Sequence, residues 1–246
     1  MRQIHISLDD VKGIFKALIK GVPDSIFDTR TLGFLRYMHE SYNVCFDLFC
    51  TFKCENYSLS EMPGKYKYEF EKNADWLRFG FHCYEETDNY SLVNEEQFRY
   101  CFTEFSNEIK RVTGQNNYLK MLRLHGFSGS ADVCKVLKES GVDILLTSDD
   151  NRCDYYLSSE ENRQLHTNLQ YFDDSLGIQF YKSCTRLEHS DKTDIDVENY
   201  KRLNVDVIPF FTHEWLMDDP KVRERVEKVC RLRDEYEKSI CNNSCL

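Results

Sequence analysis

Proline and glycine are scarce in this sequence, 4 and 10 in 246 residues. That scarcity excludes collagen-like, low-complexity and disordered chains. Positive charge is also short. Lys and Arg number 32 against 42 Asp and Glu, a net charge of -10. This argues against a nucleic-acid binder, which needs a basic face, and against a polybasic membrane-surface protein. No apolar run approaches the ~20 residues that would span a bilayer. The opening Met1-Arg2-Gln3-Ile4-His5 lacks an export-signal pattern and leads into a strand-like stretch. The spacing Cys-x-x-Cys is missing too, although there are 11 cysteines. The nearest approach is Cys50 and Cys54, so neither a zinc knuckle nor a redox pair is indicated. The expectation is reduced thiols in a cytoplasmic protein, with Cys101 and Cys134 serving as small hydrophobes and Cys241 and Cys245 on a terminal tail.

What is present is a rhythm of strand followed by helix. Short apolar runs at 3–8, 44–52, 77–84, 119–124, 142–147, 178–184 and 205–211 suit strands buried on both faces. Helical patterns fall between them. Val11, Phe15, Leu18 and Ile19 make one apolar face, and 29–41 carries Leu32, Leu35 and Met38. The strongest stripe is 95–112, with Asn94 and Gln97 as a capping pair and Gly114 past its end. Weaker helices are expected at 131–140, 162–166 and 196–203, and a last one from Pro220. The stretch 55–73 reads as an irregular insertion. Alternation without a block of one element type predicts a parallel α/β sheet. Seven units, with no Pro/Gly/Ser-rich linker, favour one barrel domain over 1–246.

The polar residues concentrate where the apolar runs stop. In a parallel barrel those C-terminal strand ends build the pocket. Here they read Asp9-Asp10, His82 with Glu85-Glu86, Arg123 and His125, Asp149-Asp150, Arg186 with Glu188-His189, and His213-Glu214. Chance marks one or two strand ends in this way, and six are better explained by a shared pocket. Adjacent carboxylates at Asp9-Asp10 allow one to hold a divalent metal such as zinc while the other acts as a base. A helix cap is the plainer role for the same pair, because a helical pattern starts at Val11. Half-buried structural histidines at 82, 125 and 213, and turn aspartates at 149–150, are the corresponding plain readings. His5, His39, His166 and His189 are taken as structural or exposed.

Ser7-Leu8-Asp9-Asp10 resembles the T-F-D-D motif of the polysaccharide deacetylase (NodB-like) superfamily, whose fold is a distorted (β/α)7 barrel. That family places a His-x-x-x-His after the third strand. His82 matches the first position, and Glu86 stands at the second. Arg123-Leu124-His125-Gly126 resembles its R-x-P-x-G motif, with His125 at the proline. The run from Pro209 to His213 resembles its late strand ending in His. The resemblance implies Asp10 and His82 as ligands of a divalent metal. The third ligand falls to His125, loosened by Gly126, or to Glu86. It implies Asp9 as the base, with Arg123 acting on it through charge, and His213 as the acid. The carboxylate orienting His213 would come from Asp149, Asp150 or Glu188, with Asp150 taken into the catalytic set. Phe127, Trp215, Tyr84 and Glu188 would contact the substrate. The reaction implied is removal of an acetyl group from an N-acetylated sugar or related glycan. A relative that keeps the barrel and binds a carbohydrate or protein partner without catalysis is the alternative.

Overall fold

The computed structural model describes residues 3–115, 119–152 and 154–243, with the backbone alone for 236–243. Cys245 and the side chain of Cys241, expected on a tail, lie outside the described residues. The chain begins with β1 (Gln3–Val11), α1 (Gly13–Ile19), α2 (Arg30–Tyr42), β2 (Phe46–Cys54), β3 (Tyr57–Ser58), α3 (Lys67–Lys72) and β4 (Leu77–Glu85). It continues through α4 (Glu95–Thr113), β5 (Met121–Leu122), α5 (Ala131–Glu139), β6 (Ile144–Leu146), α6 (Ser159–Asn168) and β7 (Gln170–Asp173). It ends with β8 (Ile178–Tyr181), α7 (Thr193–Arg202), β9 (Val207–His213) and α8 (Pro220–Asn243).

The expected parallel strands are β1, β2, β4, β5, β6, β8 and β9. They lie in two sheets, β9-β1-β2-β4 and β5-β6-β8, each internally parallel. Two seams join the sheets into a distorted barrel. Past the end of β8, the Cys184 N–H donates to the Pro209 carbonyl at 2.9 Å and the Leu187 N–H to that of Phe211 at 3.1 Å. The other seam is side-chain packing of β4 on β5. A Cβ at Gly80 would lie 2.7 Å from Leu122 and 3.0 Å from Leu119, so only glycine allows this approach. Two short antiparallel strands, β3 and β7, extend the sheets. They escaped the sequence reading because neither is an apolar run.

Local signals place the helices. The Asn94 side chain accepts from the Gln97 N–H, and Gly114 is left-handed at φ 72°, so α4 starts and stops where its caps dictate. Its stripe packs Phe98, Phe102 and Phe105 edge-on around Phe81 of β4. Burying each such ring stabilises by ~1.5–3 kcal/mol. One expectation changes at the first turn. Val11 belongs to β1, not to a helix, because the strand continues through a register shift between Leu8 and Val11.

The barrel interior is layered. Alternation along β1 turns His5, Ser7 and Asp9 inward. In the lowest layer His5 bonds Asp47 at 2.9 Å, and Arg78 bonds the other oxygen of Asp47 at 2.7 Å. Above it lie Phe49 and Phe211, and above them the strand-end polar groups.

Candidate active site

Arg123 is the centre of the upper layer and is fully buried. Its guanidinium lies between Phe211, 4.0 Å from the ring centroid, and Phe49 at 5.8 Å. One terminal nitrogen donates to Asp9 Oδ1 at 2.9 Å and to Ser7 Oγ at 3.0 Å, the other to Ser183 Oγ at 3.0 Å. Ser183 in turn donates to the Thr147 carbonyl. Asp9, 2% exposed, is thus a buried carboxylate matched by one fixed cation.

Asp10 is the next residue, and strict alternation would send it away from the interior. The register shift in β1 and a left-handed backbone at φ 54° bring it to the same mouth. Aspartate tolerates that conformation better than most residues. Its Oδ1 lies 3.4 Å from His82 Nε2 and its Oδ2 4.0 Å from His213 Nε2. Burial works against charge on Asp10. The His82 ring 3.4 Å away and, when they are protonated, the charges of His82, His213 and His125 outweigh it, and the pKa falls far below the usual carboxylate value.

Each histidine is oriented from behind. The Arg123 carbonyl lies 2.7 Å from His82 Nδ1; a carbonyl only accepts, so Nδ1 carries the proton. In the neutral ring, Nε2 then presents a lone pair to Asp10 Oδ1, which has no hydrogen-bond partner. Two acceptors then face each other across 3.4 Å, a spacing into which a cation fits. Two donors each ~2.1 Å from a tetrahedral ion keep about this separation. Behind His213, Glu188 accepts from Nδ1 at 2.6 Å and also from the Thr212 hydroxyl at 2.7 Å. Burial disfavours charge on His213, but the Glu188 hydrogen bond and the carboxylates of Asp9, Glu188 and Asp10 prevail, and its pKa is raised.

The donor chemistry of Asp10 and His82 fits a divalent ion. His125 stands edge-on to His82, ring centroids 5.5 Å apart, with its Nδ1 buried and unpartnered. Among the described residues no three His, Cys, Asp or Glu side chains already stand at metal-ligand spacing. Glu86, the other candidate third ligand, is instead ion-paired with Lys12. Neither the role of Lys12 nor that of Ser183 was foreseen, since a lone Lys or Ser carries no sequence signal.

Other expected site residues fall as follows. Asp150 does not reach His213: its carboxylate is held by Arg152 at 2.5 Å and by the Ser148 hydroxyl at 2.7 Å. Asp149 binds Arg186 at 2.8 Å, which leaves Glu188 as the orienting carboxylate. Glu188 is thereby engaged with His213 rather than open to a substrate. Tyr84 stacks on Phe52, ring centroids 4.6 Å apart, and its hydroxyl is tied to Glu104 of α4, so it belongs to the helix side of β4. Phe127 is buried against Phe211 and beneath Arg152. Trp215 is 60% exposed, its ring 5.8 Å from that of His213. A cleft of about 330 Å³ runs from Glu188 and His213 along Trp215 to Arg186 and His189.

No protein-family model and no curated protein matches this sequence. Solved structures do match. A mutant CE4 family pseudoenzyme with restored enzymatic activity is 12% identical over 96% of this chain and 64% of that one, with a TM-score of 0.51. The wild-type CE4 family pseudoenzyme from Bacillus anthracis is 10% identical over 96% of this chain and 61% of that one, TM-score 0.50. A 4-alpha-glucanotransferase from Thermococcus litoralis is 13% identical over 94% of this chain and 38% of that one, TM-score 0.58. This chain therefore shares the α/β-barrel fold of these proteins, and it spans less than two thirds of their length.

Proposed function

We propose that this protein is a hydrolase that removes an acetyl group from an N-acetylated sugar or related glycan. The observation that carries the reading is the meeting of Asp9, Asp10, His82 and His213 at one mouth of the barrel, backed by Arg123 and Glu188. A divalent ion held by Asp10 and His82, with His125 as its third ligand, would supply an acidified water. Asp9 takes the proton of the attacking water on the oxygen that Arg123 leaves free. Glu188 accepts from Nδ1 and favours the imidazolium, whose Nε2–H faces the mouth and gives its proton to the departing amine. Water and amide become acetate and amine, and the two proton transfers balance. Trp215 offers the sugar a flat, exposed face. The eight free cysteines among the described residues support a reducing, cytoplasmic setting. No helix among them is long and apolar enough to cross a membrane.

The test is acetate release from N-acetylated amino sugars in metal-supplemented buffer. Asp9→Asn is expected to lower kcat by ~10²–10⁴-fold, the usual worth of a positioned base. Equal rates in variant and wild type would refute the assignment.

A second reading has its own observation. Lys12 already neutralises Glu86, where the resemblance places a second histidine. In that reading the barrel binds a glycan without hydrolysing it. A folded wild type that binds acetylated sugars but holds no metal and releases no acetate would favour it.

A further inference from the structure

Trp215 also lines a second cleft. This one, about 300 Å³, lies between the start of α1 and the start of α2 and is lined by Lys12, Lys16, Arg30, Glu214 and Asp218. Three cations stand there with two carboxylates, and a third, Glu86, meets Lys12. The carboxylates are engaged. Glu214 is buried and turned inward, accepting from the Gly13 N–H at 2.7 Å and the Thr31 hydroxyl at 3.4 Å. Asp218 is paired with Arg30 at 2.9 Å, an exposed pair. Lys12 is paired with Glu86. Glu214 is held by neutral donors, so Lys16 is the one cation of the three without an ion-pair partner among the described residues. Its ammonium lies 5.8 Å from the Tyr57 ring centroid and meets no carboxylate among the described residues. An unneutralised cation inside a concave wall focuses potential and attracts anions.

The two clefts share one exposed tryptophan, and His213 lines one cleft and Lys16 the other. A sugar lying on Trp215 would hold its acetamide toward His213 and another substituent toward Lys16. We propose that the ligand of this site is an acidic acetylated sugar, whose phosphate or carboxylate sits beside Lys16 in the second cleft that Trp215 lines. The inference rests on the reading of the mouth as an acetylated-sugar site, and it holds whether or not the sugar is hydrolysed. It sets a charge requirement that the reacting groups do not: the acid group lies outside the Asp9–Asp10–His213 cluster and contributes to binding rather than to chemistry.

The chain has two tryptophans, and Trp76 is only 3% exposed, so ligand-induced fluorescence changes report on Trp215. The protein is titrated with N-acetylglucosamine, N-acetylglucosamine 1-phosphate and N-acetylmuramic acid. At least one acidic sugar is expected to bind about tenfold more tightly than the neutral one, the scale of one charge-assisted contact. Which of them does so tells phosphate from carboxylate. In Lys16→Met that advantage disappears while the neutral midpoint stays put, and Lys16→Arg retains it. In ligand-free protein, iodide is expected to quench Trp215 more than caesium does, and the difference shrinks in Lys16→Met. Equal binding of neutral and acidic sugars overturns this inference and leaves the sugar site standing. An acidic preference that survives Lys16→Met, or caesium quenching as strong as iodide quenching, overturns the cleft assignment. If no sugar binds, the acetylated-sugar reading falls, and this inference with it.

Discussion

Arg123 shows how much one side chain can organise. It spends its donors on Asp9, Ser7 and Ser183, and its own carbonyl orients His82. Replacing it by Met would strand a buried carboxylate, which costs about 3–5 kcal/mol when one partner of a buried pair is removed. Urea denaturation should show that loss as a lower midpoint at unchanged slope, and an unchanged midpoint would contradict the pairing. Asp154 makes a separate prediction. It is buried with one oxygen unpartnered. Burial pushes its pKa up to about 7, although the Ser148 N–H and Lys182 favour the charged form. The folded protein therefore keeps a proton that the unfolded chain has already lost between pH ~4 and ~7. The Asp154 contribution to stability falls as pH rises through that window, and is flat above it. Asp154→Asn should flatten this part of the stability profile and gain up to a few kcal/mol at pH 8, at about 1.4 kcal/mol per pKa unit. A profile unchanged by the substitution would refute the perturbed carboxyl. Of these residues, Asp9, Asp10, His82 and His213 were legible because they end apolar runs. The choice of Glu188 over Asp150 was not, because it depends on which loop passes behind His213.

Among the elements, every parallel strand could be read from an apolar run, and α4 from its stripe and caps. The β1 bulge could not. Nothing in the string Asp9-Asp10-Val11 distinguishes a bulged strand from a strand end followed by a helix cap, yet the bulge is what turns both carboxylates to one mouth. The β4–β5 seam was equally hidden, because it depends on a single missing Cβ. Gly80→Ala would set that atom 2.7 Å from Leu122 and 3.1 Å from Phe49. Overpacking of this kind costs about 1–3 kcal/mol. Thermal unfolding should register the cost, and a variant as stable as wild type would show that the two sheets do not meet there.

At the scale of the molecule, the barrel converts seven separated strand ends into one rim. Its interior is polar at both ends, with the His5–Asp47–Arg78 group below and the Asp9–Arg123 group above a layer of Phe49 and Phe211. The lower group supports the barrel, and the upper one is buried beside Asp10, whose carboxylate meets His82 and His213. The proposed chemistry needs a cation in the Asp10–His82 gap at this rim. Elemental analysis of purified protein after dialysis against zinc, cobalt or manganese tests it most directly, beside His82→Ala treated identically. About one divalent ion per chain is expected in the wild type and a large loss in the variant. A wild type that stays metal-free, or a variant that holds as much metal as the wild type, would contradict it.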